Sequence, residues 1–151
     1  MPYPQHVDDD SYTLLTLPGI KSALERVEEE LRIAVKAEEP LLTKLSRHLI
    51  DAGGKRIRPS LAIASSQILE DKPVAPSREV ILGGVAVELV HQGSLYHDDV
   101  MDGAKTRRNV KSVNEEWGNH EAILGGDYLL ARASEIAAGL GAEVAGLLAS
   151  T

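Results

Sequence analysis

The stretch from Arg78 to Asp102, REVILGGVAVELVHQGSLYHDDVMD, constrains the fold more than any other part of the chain. It is apolar nearly all round at a helical repeat, so a helix here must be enclosed by other elements rather than lie on a surface. Its last turn then gathers Asp98, Asp99 and Asp102, and Arg107 and Arg108 follow a few residues later. Acids at a helix C-terminus oppose the macrodipole and need compensation. A ligand that is itself anionic and arrives with cations would account for both signs.

The flanking sequence supplies helices to enclose that element. From Pro18 to Glu39, Leu24, Val27, Leu31 and Val35 recur at spacings of three and four, which predicts an amphipathic helix ended or sharply turned at Pro40. LLTKLSRHLIDA predicts a second helix closed at Gly53-Gly54, suited to a left-handed cap. PSLAIASSQILE predicts a third, with Pro59 in its first turn. After the central helix come a loop, a short turn near Asn114 to Trp117, the helix HEAILGGDYLLARASEIAAGL, and a last helix from about Ala142 to the end. No segment alternates with a strand's period of two, and there is no internal repeat. The expected class is all-α, an antiparallel helical bundle.

Composition narrows the function. The chain has 151 residues, 43% of them hydrophobic, with no cysteine and no phenylalanine, so disulfides and thiolate metal sites are excluded and the core must be aliphatic. A net charge of −7 opposes broad nucleic-acid binding. Neither a signal-peptide pattern nor a run of ~18 apolar residues occurs, giving a cytoplasmic expectation with no transmembrane segment. Residues 1–16, with two prolines and Asp8-Asp9-Asp10, read as a flexible arm.

On a helix of ~100° per residue, Asp98 and Asp102 lie ~40° apart while Asp99 points aside. Two carboxylates one turn apart suit a hard divalent ion that completes its shell with water and substrate phosphates. His91 and Ser94 share roughly that face, one to two turns earlier. Taken alone, His91 and His97 remain open between hydrogen-bonded core residues and ligands. Gly83, Gly84 and Gly93 each cost ~1 kcal/mol in a helix, which close packing or room for a ligand would explain. GGKRIRP, residues 53–59, places Lys55, Arg56 and Arg58 between glycines and a helix start, open between a solvated basic loop and a phosphate cradle. With Arg107 and Arg108, two basic clusters flank one acidic helix end.

In order and interval, GGKRIRP, ELVHQGSLYHDDVMDGAKTRRN and GGDYLLARA resemble the N-terminal half of the trans-isoprenyl diphosphate synthases, or polyprenyl synthetases. The resemblance implies an isoprenoid synthase bundle in which residues 17–151 form the N-terminal half of a single domain. It implies magnesium-dependent head-to-tail condensation of isopentenyl diphosphate with an allylic diphosphate, with manganese able to substitute. Asp98 and Asp102 would bind the metal, with Asp99 in support. Arg107 would hold the allylic diphosphate, and Lys55, Arg58, His91 and Arg108 that of isopentenyl diphosphate. Gly93 and Ser94, five and four residues before the first aspartate, would help set the chain-elongation pocket, and their small size points to geranylgeranyl or longer products. Tyr96 and the helix from Ile123 to Ala133 could still close that pocket.

The family's second aspartate-rich motif is missing, and the last helix has no capping residue. The expectation is therefore a fragment with little activity alone, pairing as a homodimer or with the missing C-terminal half. Two other readings remain. One is a non-catalytic subunit that binds a partner synthase. The other is an HD-type metal phosphohydrolase, in which His97-Asp98 would join His91 or His48.

Overall fold

The computed structural model describes residues 17–68 and 75–150. Their order is α1 (Ile20–Ala34), α2 (Pro40–Asp51), α3 (Ile57–Gln67), α4 (Arg78–Asp102), β1 (Thr106–Arg107), β2 (Val110–Lys111), α5 (Val113–Trp117), α6 (Asn119–Leu140) and α7 (Ala142–Ala149). Among the described residues the fold is all-α apart from one two-stranded hairpin. The arm expected over residues 1–16 lies outside the described residues. Among the described residues, no helix is long and apolar enough to cross a membrane.

Long helix α4 packs against α1, α3, α5 and α6, which is how its nearly uniform apolar surface is satisfied. Ser77 caps its start, its hydroxyl accepting from the Val80 amide. Gly103 ends it at φ 60°, with the Ala104 amide bonded to the Asp99 carbonyl at 2.9 Å. Ile81, Val85, Leu89 and Tyr96 form the middle of the core. Around them pack Ile20, Val27 and Leu31 of α1, Leu45 and Leu49 of α2, Ile63 of α3, and Leu129 and Ala133 of α6. Each such leucine or isoleucine contributes about 1.5–3 kcal/mol through burial.

Three local expectations change. The first helix stops at Ala34, and Pro40 opens α2 rather than closing α1, since a proline fits a first turn whose amides lack partners. Glu39 caps that turn, its carboxylate accepting from the Leu41 amide. Helix α3 begins two residues before Pro59, at Ile57, after Arg56 in the left-handed region at φ 47°. The loop after α4 contains a hairpin that periodicity did not predict. Thr106 pairs with Lys111 and Arg107 with Val110, joined through Arg108 and Asn109, both at positive φ, as a primed two-residue turn requires. Two residues per strand are too few to show alternation.

Helices α4 and α6 approach closely because they meet at glycines. A Cβ on Gly93 would stand 3.0 Å from the Gly126 carbonyl, and one on Gly126 would overlap the His97 ring. Gly84 meets Pro59 of α3 in the same way, with 3.3 Å available.

Candidate diphosphate-binding site

The acidic triplet at the end of α4 divides. Asp98 is half-buried and Asp102 exposed on one face, while Asp99 turns inward and is 1% exposed. Arg107 donates to one Asp99 oxygen through both Nε, at 2.9 Å, and Nη2. The other Asp99 oxygen is buried without a hydrogen-bond partner. That pairing raises the Arg107 pKa, and Asp98 and Asp102 add to the effect. A compact loop delivers Arg107: the Ala104 carbonyl accepts from the Ser112 hydroxyl at 2.6 Å and from Asn114 Nδ2 at 2.9 Å, folding the hairpin back over the helix end.

The basic motif before α3 divides too. Lys55 and Arg58 are exposed, whereas Arg56 is 5% exposed and points inward. Arg56 donates to both oxygens of Glu28 on α1, to Glu88 on α4 at 3.0 Å and to the Ile50 carbonyl at 3.0 Å. Burial works to lower its pKa, but Glu28 and Glu88 outweigh that and raise it. Arg56 is therefore a structural member of the basic run. Arg108 reaches the C-terminus of α2, donating to the Leu49 carbonyl at 2.8 Å and to that of Gly53. Burial and the neighbouring Arg56 lower its pKa.

His91 shares a groove with Arg58 and is influenced by the charges of both basic motifs. Desolvation lowers its pKa, and Arg58, Arg108 and Arg107 lower it further against the opposing effect of Glu88. The unprotonated ring is thus favoured at neutral pH. His91, Arg58 and Ser94 border an apolar groove of about 480 Å³ lined by Leu61, Ala62, Val87, Val90 and Leu148. Gly93 does not border it. Its Cβ position faces Gly126 and Leu130, so this glycine serves the α4–α6 contact.

His97 is turned away from the acids. Its Nε2 lies 3.3 Å from the Ile123 carbonyl and 3.3 Å from Asp127 on α6. His48 contacts the Lys111 carbonyl at 2.7 Å and packs edge-on against Trp117. Among the described residues, no three His, Asp or Glu side chains gather as a metal site, so the HD-type arrangement does not form. Sequence reasoning passed over Glu28, Glu88 and Gln92. Glu88 did carry a signal, being the one carboxylate between Glu79 and Asp98 in an otherwise apolar run.

The family model for polyprenyl synthetase matches residues 39–151. Nonaprenyl diphosphate synthase of Mycobacterium tuberculosis is 40% identical over 88% of this chain and 39% of its own length. Geranylgeranyl diphosphate synthase of Methanosarcina mazei is 44% identical over 72% of this chain and 32% of its own length. Among solved structures, geranylgeranyl pyrophosphate synthase of Corynebacterium glutamicum, complexed with calcium and isoprenyl diphosphate, aligns with TM-score 0.70 at 41% identity. That alignment covers 87% of this chain and 38% of the synthase. The chain therefore spans under two-fifths of the length of these relatives.

Proposed function

The chain belongs to the polyprenyl synthetase family, and from that membership we propose that it binds isopentenyl diphosphate and an allylic diphosphate for head-to-tail prenyl transfer. The observation that carries this reading is Arg58 and His91 at the edge of one apolar groove, with the charges of Arg107 and Arg108 acting on the same histidine. A diphosphate needs several cations, and a prenyl chain needs dry walls.

The donor set fits magnesium. Asp98 and Asp102 present hard carboxylate oxygens one turn apart, leaving the other coordination positions to water and substrate phosphate. Bound there, magnesium would neutralise charge developing on the allylic diphosphate as the carbon–oxygen bond breaks. Calcium and isoprenyl diphosphate in the Corynebacterium relative support such a pairing of cation and anion.

The protein's own residues divide the remaining work. Arg107, oriented by Asp99, keeps 32% of its side chain exposed and holds the allylic diphosphate. Lys55, Arg58, His91 and Arg108 hold the diphosphate of isopentenyl diphosphate, with unprotonated His91 donating a hydrogen bond. Leu61, Val87 and Val90 keep water from the prenyl chain. Small Ser94 leaves room along the groove, in keeping with geranylgeranyl or longer products. The protein is expected to work as a homodimer or with further chain supplying a second acidic motif.

The test combines calorimetric binding of isopentenyl diphosphate with elongation of geranyl, farnesyl and geranylgeranyl diphosphates in magnesium. Binding weakened about tenfold by Arg58→Ala, together with elongated product, supports the synthase. Binding without product would favour a diphosphate-binding subunit, and absence of binding would refute both.

A further inference from the structure

We propose that Glu88 is a positioning residue that ties the two basic motifs into one diphosphate site. The inference rests on the proposed function, because it concerns how Arg108 and the 53–58 loop are held for isopentenyl diphosphate. Glu88 lies on α4, one turn before Gln92, with 3% of its side chain exposed. One of its oxygens receives Arg56 Nη1 at 3.0 Å and Gln92 Nε2 at 2.6 Å, and Arg108 Nη2 lies 3.9 Å from it.

The carboxylate thus joins segments distant in sequence. Arg56 and Arg108 also both donate to the Gly53 carbonyl, and both guanidinium groups border Gly54, whose Cβ position is 3.0 Å from Arg56 Nη1 and 3.1 Å from Arg108 Cζ. Two cations this close repel, and burial strengthens the repulsion. Glu88 offsets it by lying within 4 Å of both groups. Glu28 neutralises Arg56 from the α1 side, whereas the ion pair found for Arg108 among the described residues is with Glu88.

Arg56 occupies the left-handed region at the start of α3, a conformation that costs a non-glycine residue energy and persists only where its surroundings hold it. Its side-chain bonds to Glu28 and Glu88 supply that hold. Lys55 and Arg58 flank Arg56, so fixing Arg56 fixes the backbone from which both project. Without Glu88, Arg56 and Arg108 lose their shared anion, and only the backbone carbonyls of Leu49, Ile50 and Gly53, with Glu28 on Arg56, are left to hold the two repelling guanidinium groups.

Electrostatics gives the test a decisive sign. Removing a negative charge near an anion site, with nothing else changed, tightens diphosphate binding. Loss of positioning weakens it. In Glu88→Gln, we expect isopentenyl diphosphate to bind about tenfold more weakly, while geranyl diphosphate with magnesium, held through Arg107, changes much less. Unchanged or tighter isopentenyl diphosphate binding would overturn the proposal.

A second readout needs no ligand. Amide hydrogen exchange should quicken in both 53–58 and 106–111 in Glu88→Gln, but only in 53–58 in Glu28→Gln. Unchanged exchange in 106–111 of Glu88→Gln would overturn the coupling even in a chain that binds no diphosphate, so failure of the proposed function is read separately from failure of this inference. If Glu88→Gln does not fold, Glu88→Asp, which keeps the charge but shortens its reach, takes its place under the same exchange criterion.

Discussion

His91 brings the electrostatics of the site down to one ring. Desolvation and then Arg58 depress its pKa from the ordinary histidine value. The unfolded chain therefore takes up a proton here before the folded one does. His91 stabilises the fold fully above its unfolded pKa, ~6.5, and that contribution is lost as pH falls through the folded value. Nuclear magnetic resonance titration should find the ring shifted down from the ordinary histidine value, and isopentenyl diphosphate should move it upward by opposing the arginines. A ring that titrates identically with and without the ligand would place the diphosphate elsewhere. Exposed Asp102 carries the opposite kind of cost, an acid in the last turn of α4 facing the negative end of the dipole. In chelator, Asp102→Asn should raise unfolding free energy by about 0.3–1 kcal/mol, measured by urea denaturation, while losing the stabilisation that magnesium brings.

At the level of elements, the glycines within α4 and α6 are of two kinds, close-packed and open. Gly126→Ala sets a methyl against the His97 ring and the Gly93 carbonyl, and should destabilise by about 1–3 kcal/mol. Gly83 lies within the same long helix with nothing within 4 Å of its Cβ position. Gly83→Ala should therefore stabilise by up to ~1 kcal/mol, because only the helix-propensity gain remains. Thermal unfolding of the two variants should show shifts of opposite sign. Helix α7 differs from both: although it reads AEVAGLLA, none of its residues is buried. Its amides should exchange far faster than those of α4, since a short helix that is only partly covered, with Leu148 its one hydrophobic side chain against the core, has little tertiary packing to hold it.

Across the whole molecule, binding should appear as stability. A ligand at a hundred times its Kd adds about 2.7 kcal/mol, or several degrees in Tm for a chain of this size. Magnesium with inorganic pyrophosphate should raise Tm by such an amount, and Asp98→Ala should abolish the magnesium-dependent part. Pyrophosphate alone should still stabilise that variant through Arg58, Arg107 and Arg108. If Asp98→Ala kept the full magnesium response, the assignment of metal to this helix face would be wrong.

Periodicity and chemical spacing were enough for much of this protein. An all-α chain with a buried central helix follows from an apolar run too uniform to face water, and three ordered motifs sufficed for the resemblance to the polyprenyl synthetases. Those features are local, written in spacings of three and four or in short runs of charge. What only the tertiary structure decided was which members of each run face inward. Asp99 turns to Arg107, Arg56 to Glu28 and Glu88, Gly93 to Gly126, and His97 to α6. Each choice depends on a partner 8 to 33 residues away in sequence, brought close by packing, and no local pattern encodes that distance.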